Sequence, residues 1–307
     1  MIIRRSRTGS RDPWVIEHDG AYYYCYSWDG GLNLIRSETL EGILDGTPVR
    51  VWTAPEGMEY SKELWAPELH IIDGKCYIYV ACDDGHNHNH RMYVLSNGSS
   101  DPLAPYTMHG KIADSTNKWA IDGTVIQFEG KLYLCWSGWE GDENVAQNLY
   151  LAQMSDPFTI CSERVLLSRP EYDWEKKGAN GKPESPFINE GPCAVVHNGK
   201  LFLVYSAAGS WCNDYCLGML RFKGGDVLNA ANWEKLPAPV FARSETVKGP
   251  GHCSILVKDG EMASWLIYHA FDEDCKFGWN SAHAVAQPFT WSDDATTFGV
   301  PEENELV

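Results

Sequence analysis

WVIEHDGAYYYCYS, Trp14 to Ser27, decides the fold. A short apolar strand runs into Asp19-Gly20, a pair that tolerates positive φ and so favours a tight hairpin. An aromatic strand then returns. The same plan recurs as LHIIDGKCYIYVA, TVIQFEGKLYLCWS, AVVHNGKLFLVYS and SILVKDGEMASWLIYHA. The turn glycines are Gly20, Gly74, Gly130, Gly199 and Gly260, at intervals of 54, 56, 69 and 61 residues. Each interval has room for two further strands, such as RMYVLS and YTMHGKI in the second unit and QNLYLAQM and ERVLLS in the third. Helical spacing is scarce, while β-branched and aromatic runs between Gly, Asp and Asn turns dominate. Five units of about four antiparallel strands predict one all-β domain over residues 1–307, a five-bladed β-propeller with blades starting near residues 12, 66, 122, 190 and 252. A β-sandwich would lack so long a period.

The chain carries 25 Lys and Arg against 42 Asp and Glu, a formal charge of −17. That surface excludes nucleic acid and anionic membranes as partners, because both need a basic footprint. No apolar run approaches the roughly 18 residues of a membrane span. MIIRRSRTGS has no apolar segment behind its basic residues, so no signal peptide is expected. Of the ten cysteines, Cys25, Cys76 and Cys135 sit in apolar runs and read as free buried thiols. Cys212 and Cys216 are spaced too loosely for a zinc knuckle. Together these features predict a cytoplasmic protein, with a secreted mature form as the alternative.

Counting back eight residues from each turn glycine gives Asp12, Ala66, Asp122, Gly191 and His252, with Glu190 one residue further back. These positions are the same structural place in every unit, the start of the innermost strand. In a propeller such starts surround one end of the axis, so two Asp, one Glu and one His converge from four blades. The one-residue offset of Glu190 requires a bend that turns it inward. Loops on the same face bring Trp28, Asp29, Asp83, Trp139, Glu140, Trp211 and Phe271 into the wall, together with Trp65, Lys118 and Trp119. Indole faces pack on sugar C–H surfaces and carboxylates take hydroxyl hydrogen bonds, so a carbohydrate suits the pocket. Hydrolysis of a glycosidic bond needs one protonated and one ionised carboxyl, and a third nearby raises the acid's pKa by repulsion. HNHNH around Asn87 falls in a loop on this face and reads as a solvated turn rather than a metal site. YDWEKKGANGKPESPF, Tyr172 to Phe187, reads as a surface loop ahead of the fourth unit and a rim of the pocket.

RDPW at Arg11–Trp14, WAPELH at Trp65–His70, AIDGT at Ala120–Thr124, NEGP at Asn189–Pro192 and PGHCS at Pro250–Ser254 resemble glycoside hydrolase family 43 over nearly the whole chain. WSGW at Trp136–Trp139 and YHA at Tyr268–Ala270 also fit. The resemblance implies a five-bladed propeller and an inverting mechanism, with Asp12 as general base, Glu190 as general acid and Asp122 tuning the acid. It implies substrate contacts from Trp65, Glu68, Trp139 and His252. It also implies a calcium ion in the central channel, which His252 would meet through water because calcium prefers oxygen ligands; no organic cofactor is implied. WAIDGT, WSGW, INEGP, YSAAGS and GPGHCS look most like exo-acting α-L-arabinofuranosidases, which implies plant cell-wall arabinan or arabinoxylan fragments as substrates. A β-D-xylosidase on the same scaffold is the alternative, and a non-catalytic carbohydrate-binding propeller the next. One departure lies in the last unit. Many members carry an Arg shortly before a Gln-Pro-aromatic segment, and NSAHAVAQPFTW, Asn280 to Trp291, has none. Lys276 and His283 are the candidates to replace it, without a guanidinium fork.

Overall fold

The computed structural model describes residues 10–43, 46–257, 264–271, 281–291 and 298–301. Strand pairing follows the turn signals. In the first unit β1 (Trp14–His18), β2 (Ala21–Trp28), β3 (Gly31–Ser37) and β4 (Pro48–Thr53) pair antiparallel in chain order. The second unit repeats this with β5 (Lys62–Ile72), β6 (Lys75–Asp83), β7 (Arg91–Ser96) and β8 (Thr107–Lys111). The third has β9 (Ala120–Phe128), β10 (Lys131–Gly138) and β11 (Ala146–Asp156), and the short strands β12 (Thr159–Ile160) and β13 (Val165–Ser168) both pair with β11. The fourth has β14 (Phe187–His197), β15 (Lys200–Ala207), β16 (Cys216–Phe222) and β17 (Trp233–Lys235). The last has β18 (Lys248–Leu256), β19 (Ser264–Phe271) and β20 (His283–Phe289). Its turn glycine, Gly260, lies outside the described residues.

Among the described residues helix is limited to three short 3-10 segments, so the all-β expectation holds. The second strand of a unit is covered on both faces. KLFLVYSA in β15 is therefore buried from Leu201 onward, a continuous apolar run rather than an alternating one. Apolar side chains gather between neighbouring sheets. Cys25, Leu32 and Leu34 pack with Leu69, Ile78 and Val80 between the first two units, and Val204, Leu217 and Phe241 pack with Leu266 and Tyr268 between the last two. The first strands touch one another in chain order, β1 on β5, β5 on β9, β9 on β14 and β14 on β18, and β18 returns to β1.

The third and fourth units are also joined by main chain. β11 pairs in parallel with β14 through Ala146–Phe187 and Gln147–Ile188, which merges the two units into one sheet. Behind this joint sits Glu175, fully buried in the 3-10 segment Asp173–Lys176. Its carboxylate accepts from the amides of Glu171 and Tyr172, from Asn189 Nδ2 at 2.9 Å and from the Tyr205 hydroxyl at 3.0 Å, and pairs with Lys235 Nζ at 2.7 Å. A buried charge with every lone pair engaged is stable only as a set. Glu175→Ala leaves the Lys235 ammonium without its counter-charge, with only the Arg169 carbonyl to accept from it, and urea denaturation should show a loss of about 3–5 kcal/mol.

Candidate active site

The five positions found by the count of eight share one backbone conformation. Asp12, Ala66, Asp122, Gly191 and His252 have φ of 50°, 42°, 54°, 51° and 47°, all left-handed. Asp12 stands just ahead of β1, and the other four stand at a break in the ladder: pairing shifts between Trp65 and Glu68, between Glu190 and Cys193 and between Gly251 and Ser254, and opposite Asp122 between Cys135 and Ser137. Asp tolerates this conformation better than most residues and Gly adopts it freely, whereas for Ala66 it is a strained choice. A left-handed residue takes its own N–H out of the ladder. At three of the five positions a side chain of the preceding unit receives it: Asp12 N–H donates to His269 Nδ1 at 3.2 Å, Gly191 N–H to Asp122 Oδ2 at 3.0 Å, and His252 N–H to Ser206 Oγ at 2.7 Å. In the fourth unit the kinked residue is Gly191, and the carboxyl that enters the site belongs to its predecessor. That is the bend the sequence requires for Glu190.

These kinks line a cavity of about 230 Å³ with Asp12, Asp122, Glu190 and His252. His252 Nδ1 lies 3.1 Å from Asp12 Oδ1 and 3.9 Å from Asp122 Oδ2, and His269 Nδ1 lies 3.3 Å from Asp12 Oδ1. The environment separates the three carboxyls. Burial pushes Asp12 up, but His252, His269 and Arg11 outweigh it and hold the group well below the usual carboxylate range. Burial lowers both imidazoles, His269 to about 4, so near neutral pH they act on Asp12 as polar partners and Arg11 supplies the fixed positive charge. Asp122 is raised well above its ordinary value by burial and by repulsion from Glu190 and Asp12. Glu190 is raised to about 7, by burial first and then by Asp12, against the opposing pull of a hydrogen bond from Tyr215 and the charge of Arg11. One acid is thus kept ionised and another kept protonated within one cavity.

Trp65 lines the cavity and stacks on His90, with ring centroids 4.0 Å apart. His90 is held from behind, its Nδ1 2.8 Å from Asp83 Oδ2 and its Nε2 3.0 Å from the Glu63 carbonyl. Trp119 and Trp211 are also in the wall, as are Pro183, Glu184 and Pro186 of the loop ahead of β14, which agrees with its reading as a rim. Two residues expected to touch substrate lie elsewhere. Trp139 is buried behind Trp119, stacked at 4.8 Å and 12°, and supports that wall instead of forming it. Glu68, two residues beyond the Ala66 kink, is buried below the cavity, bonded to His70 Nε2 at 2.7 Å. Trp28, Asp29, Asp83, Lys118, Glu140 and Phe271 are likewise outside the lining. Within the HNHNH loop, Asn87 lines the cavity and its carbonyl takes the Trp119 indole N–H at 2.7 Å.

The sequence reading missed two residues. Arg11 lines the cavity, donates from Nη2 to the Ser210 carbonyl at 3.2 Å and lies over the Phe271 ring at 5.9 Å. It is the only guanidinium among the described lining residues, while His283 in β20 is not part of the lining and Lys276 lies outside the described residues. Tyr215 is fully buried and donates to Glu190 Oε1 at 2.8 Å. Arg11 was legible as the residue beside Asp12; Tyr215, between two cysteines, gave no signal.

Around His252 the described side chains offer calcium no direct set of ligands. Calcium asks for six to eight oxygens, and among the described residues no group of three or more His, Cys, Asp or Glu side chains is placed to hold a metal. His252 Nδ1 instead faces the Asp12 carboxylate.

A ring of kinked inner strands that separates the proton states of paired carboxyls in a Trp-walled cavity is the equipment of a glycosidase. The chain belongs to glycosyl hydrolases family 43, whose pattern matches residues 6–297. It is 34% identical over 305 residues to an extracellular exo-α-(1→5)-L-arabinofuranosidase of Streptomyces avermitilis, covering 94% of this chain and 61% of that protein. It is 36% identical over 268 residues to a protein of the same name from Streptomyces chartreusis, covering 84% of this chain and 79% of that one. The crystal structure of an α-L-arabinofuranosidase from Lactobacillus brevis superposes with a TM-score of 0.86 at 34% identity, covering all of this chain and 97% of that one. The chain therefore spans about three fifths of the length of the Streptomyces avermitilis relative. The names of both Streptomyces relatives overturn the cytoplasmic expectation, since both are extracellular proteins. Free cysteines were a poor guide to compartment here: seven of the nine described thiols are buried, where they behave as small apolar groups in any redox environment.

Gly191 tests the kink. An added Cβ there would adopt φ of +51° and meet the His252 ring at 3.0 Å. Gly191→Ala should cost about 1–2 kcal/mol in urea denaturation, while Gly141→Ala, in open space, should change stability by less than about 0.5 kcal/mol.

Proposed function

We propose that the chain is an exo-acting, inverting glycosidase that removes α-L-arabinofuranosyl units from arabinan, arabinoxylan or their oligosaccharides. Asp12 is the base that activates water, Glu190 the acid that protonates the leaving oxygen, and Asp122 the group that orients the acid by holding the Gly191 amide. The observation that carries this reading is the opposed proton state of Asp12 and Glu190 in one cavity. The five units form the five blades of a closed ring in this reading, supported by first strands that touch in chain order and by the contact of β18 with β1. The names of the relatives support the arabinofuranosyl substrate. Exo action is supported by the names of the two Streptomyces relatives, and Pro183, Glu184 and Pro186 add to the wall of the cavity. Arg11 supplies the guanidinium that the last unit lacks, from the first unit instead.

Glu190→Ala should lower turnover of arabino-oligosaccharides by about 10²–10⁴-fold and spare dinitrophenyl arabinofuranoside, whose leaving group needs no proton. Equal losses on both substrates would remove Glu190 from the acid role, and faster cleavage of the aryl xyloside than of the aryl arabinofuranoside would overturn the substrate. The pH profile of kcat/KM follows from the same groups. Glu190 works protonated, so activity should fall as pH rises through about 7. Asp12 works ionised and its pKa is depressed, so the acid-side fall should begin below the range of an ordinary carboxylate.

A further inference from the structure

Tyr215 stands in the turn between β15 and β16, sealed from solvent, with its ring against Gly251 and stacked on His269 at 5.4 Å and 4°. Its hydroxyl donates to Glu190 Oε1 at 2.8 Å. Ser206 is hydrogen-bonded to the Tyr215 hydroxyl, and Ser206 Oγ accepts from the His252 amide at 2.7 Å. A backbone amide only donates, so one lone pair of Ser206 is taken there, and the single proton of Tyr215 goes to Glu190. Among the described residues the other oxygen, Oε2, takes no protein hydrogen bond.

We propose that Ser206 and Tyr215 are positioning residues for the proton donor: Ser206 donates to Tyr215 and Tyr215 to Glu190 Oε1, which keeps that oxygen an acceptor, so the transferable proton rides on Oε2, the oxygen left to face the glycosidic oxygen. This rests on Glu190 being the acid. In the transfer the Oε2–H bond breaks as the bond from that proton to the leaving oxygen forms. The carboxylate that results is stabilised by the Tyr215 hydrogen bond, which strengthens when its acceptor becomes charged. The same chain ties the two halves of the reaction together, since the ring of Tyr215 lies flat on His269, the residue that receives the Asp12 amide. The other charged or titratable groups around Glu190 are Arg11 and Asp12 ahead of β1, Asp122 on β9, His252 on β18 and Glu184 on the rim. All of them stay in place when only the phenol oxygen is removed.

The test is Tyr215→Phe, which keeps the ring, with Ser206→Ala as the second variant and kcat/KM profiles on nitrophenyl arabinofuranoside. Losing a donor to the ionised form should move the alkaline limb of Tyr215→Phe up by about one pH unit. Ser206→Ala should move it the same way by less. Turnover at the optimum should fall roughly tenfold or more on the nitrophenyl substrate and little on the dinitrophenyl one. A purely structural role would lower both substrates together and leave the limb in place, and that result in a variant with unchanged melting temperature would overturn the inference. If Tyr215→Phe does not fold, the limb of Ser206→Ala decides in the same way. Glu190→Gln separates this from the assignment beneath it. An alkaline limb that survives in Glu190→Gln removes Glu190 as the acid. A limb that vanishes there but stands still in Tyr215→Phe overturns only the role given to Ser206 and Tyr215.

Discussion

The left-handed residue at the head of each inner strand is the constraint on which the rest depends. It costs about 1–3 kcal/mol wherever the residue is not glycine, and four of the five positions are not glycine. The cost is offset by what the kink releases. A ladder amide, freed from its strand, is taken by a side chain of the unit before it, so neighbouring units are fastened at the rim as well as packed along their faces. Asp12 and His252 sit on kinks themselves, Asp122 sits on one and receives another, and Glu190 stands beside the fourth. Site geometry and unit-to-unit attachment are one set of contacts.

This arrangement explains how carboxyls from distant parts of one chain acquire different chemistry. Asp12 faces Arg11 and two imidazoles, while Glu190 and Asp122 face each other and Asp12 with little water to share the charge. Two negative charges cannot both be held there, so the site carries a proton as part of its resting composition. Arg11, in the cavity wall, sets a positive charge against that sum.

Much of this was legible in sequence because the repeat has a fixed register. Eight residues from turn to kink is a backbone distance, and Asp12, Asp122 and His252 could be aligned by counting alone. The same count failed for side chains one or two residues away. Trp65, ahead of the Ala66 kink, faces the cavity, while Glu68, past it, drops beneath. Trp139 looked like a wall residue because position in a loop does not distinguish a first layer of indole from a second. Tyr215 was invisible for a different reason: its partner is set by the meeting of β14 with the turn before β16, and nothing local in SWCNDYC encodes that meeting.

The parallel joint between β11 and β14 gives the molecule an uneven mechanical character. Elsewhere the described units meet through side chains and isolated backbone hydrogen bonds, such as Tyr106 N–H to the Val51 carbonyl and Gly249 N–H to the Asn213 carbonyl. Here they share a hydrogen-bonded ladder, locked at its back by the Glu175 carboxylate through Asn189, the neighbour of Glu190. That seam carries Asn189 and Glu190 on β14, so the residue beside the candidate acid is held by main chain as well as by side chains.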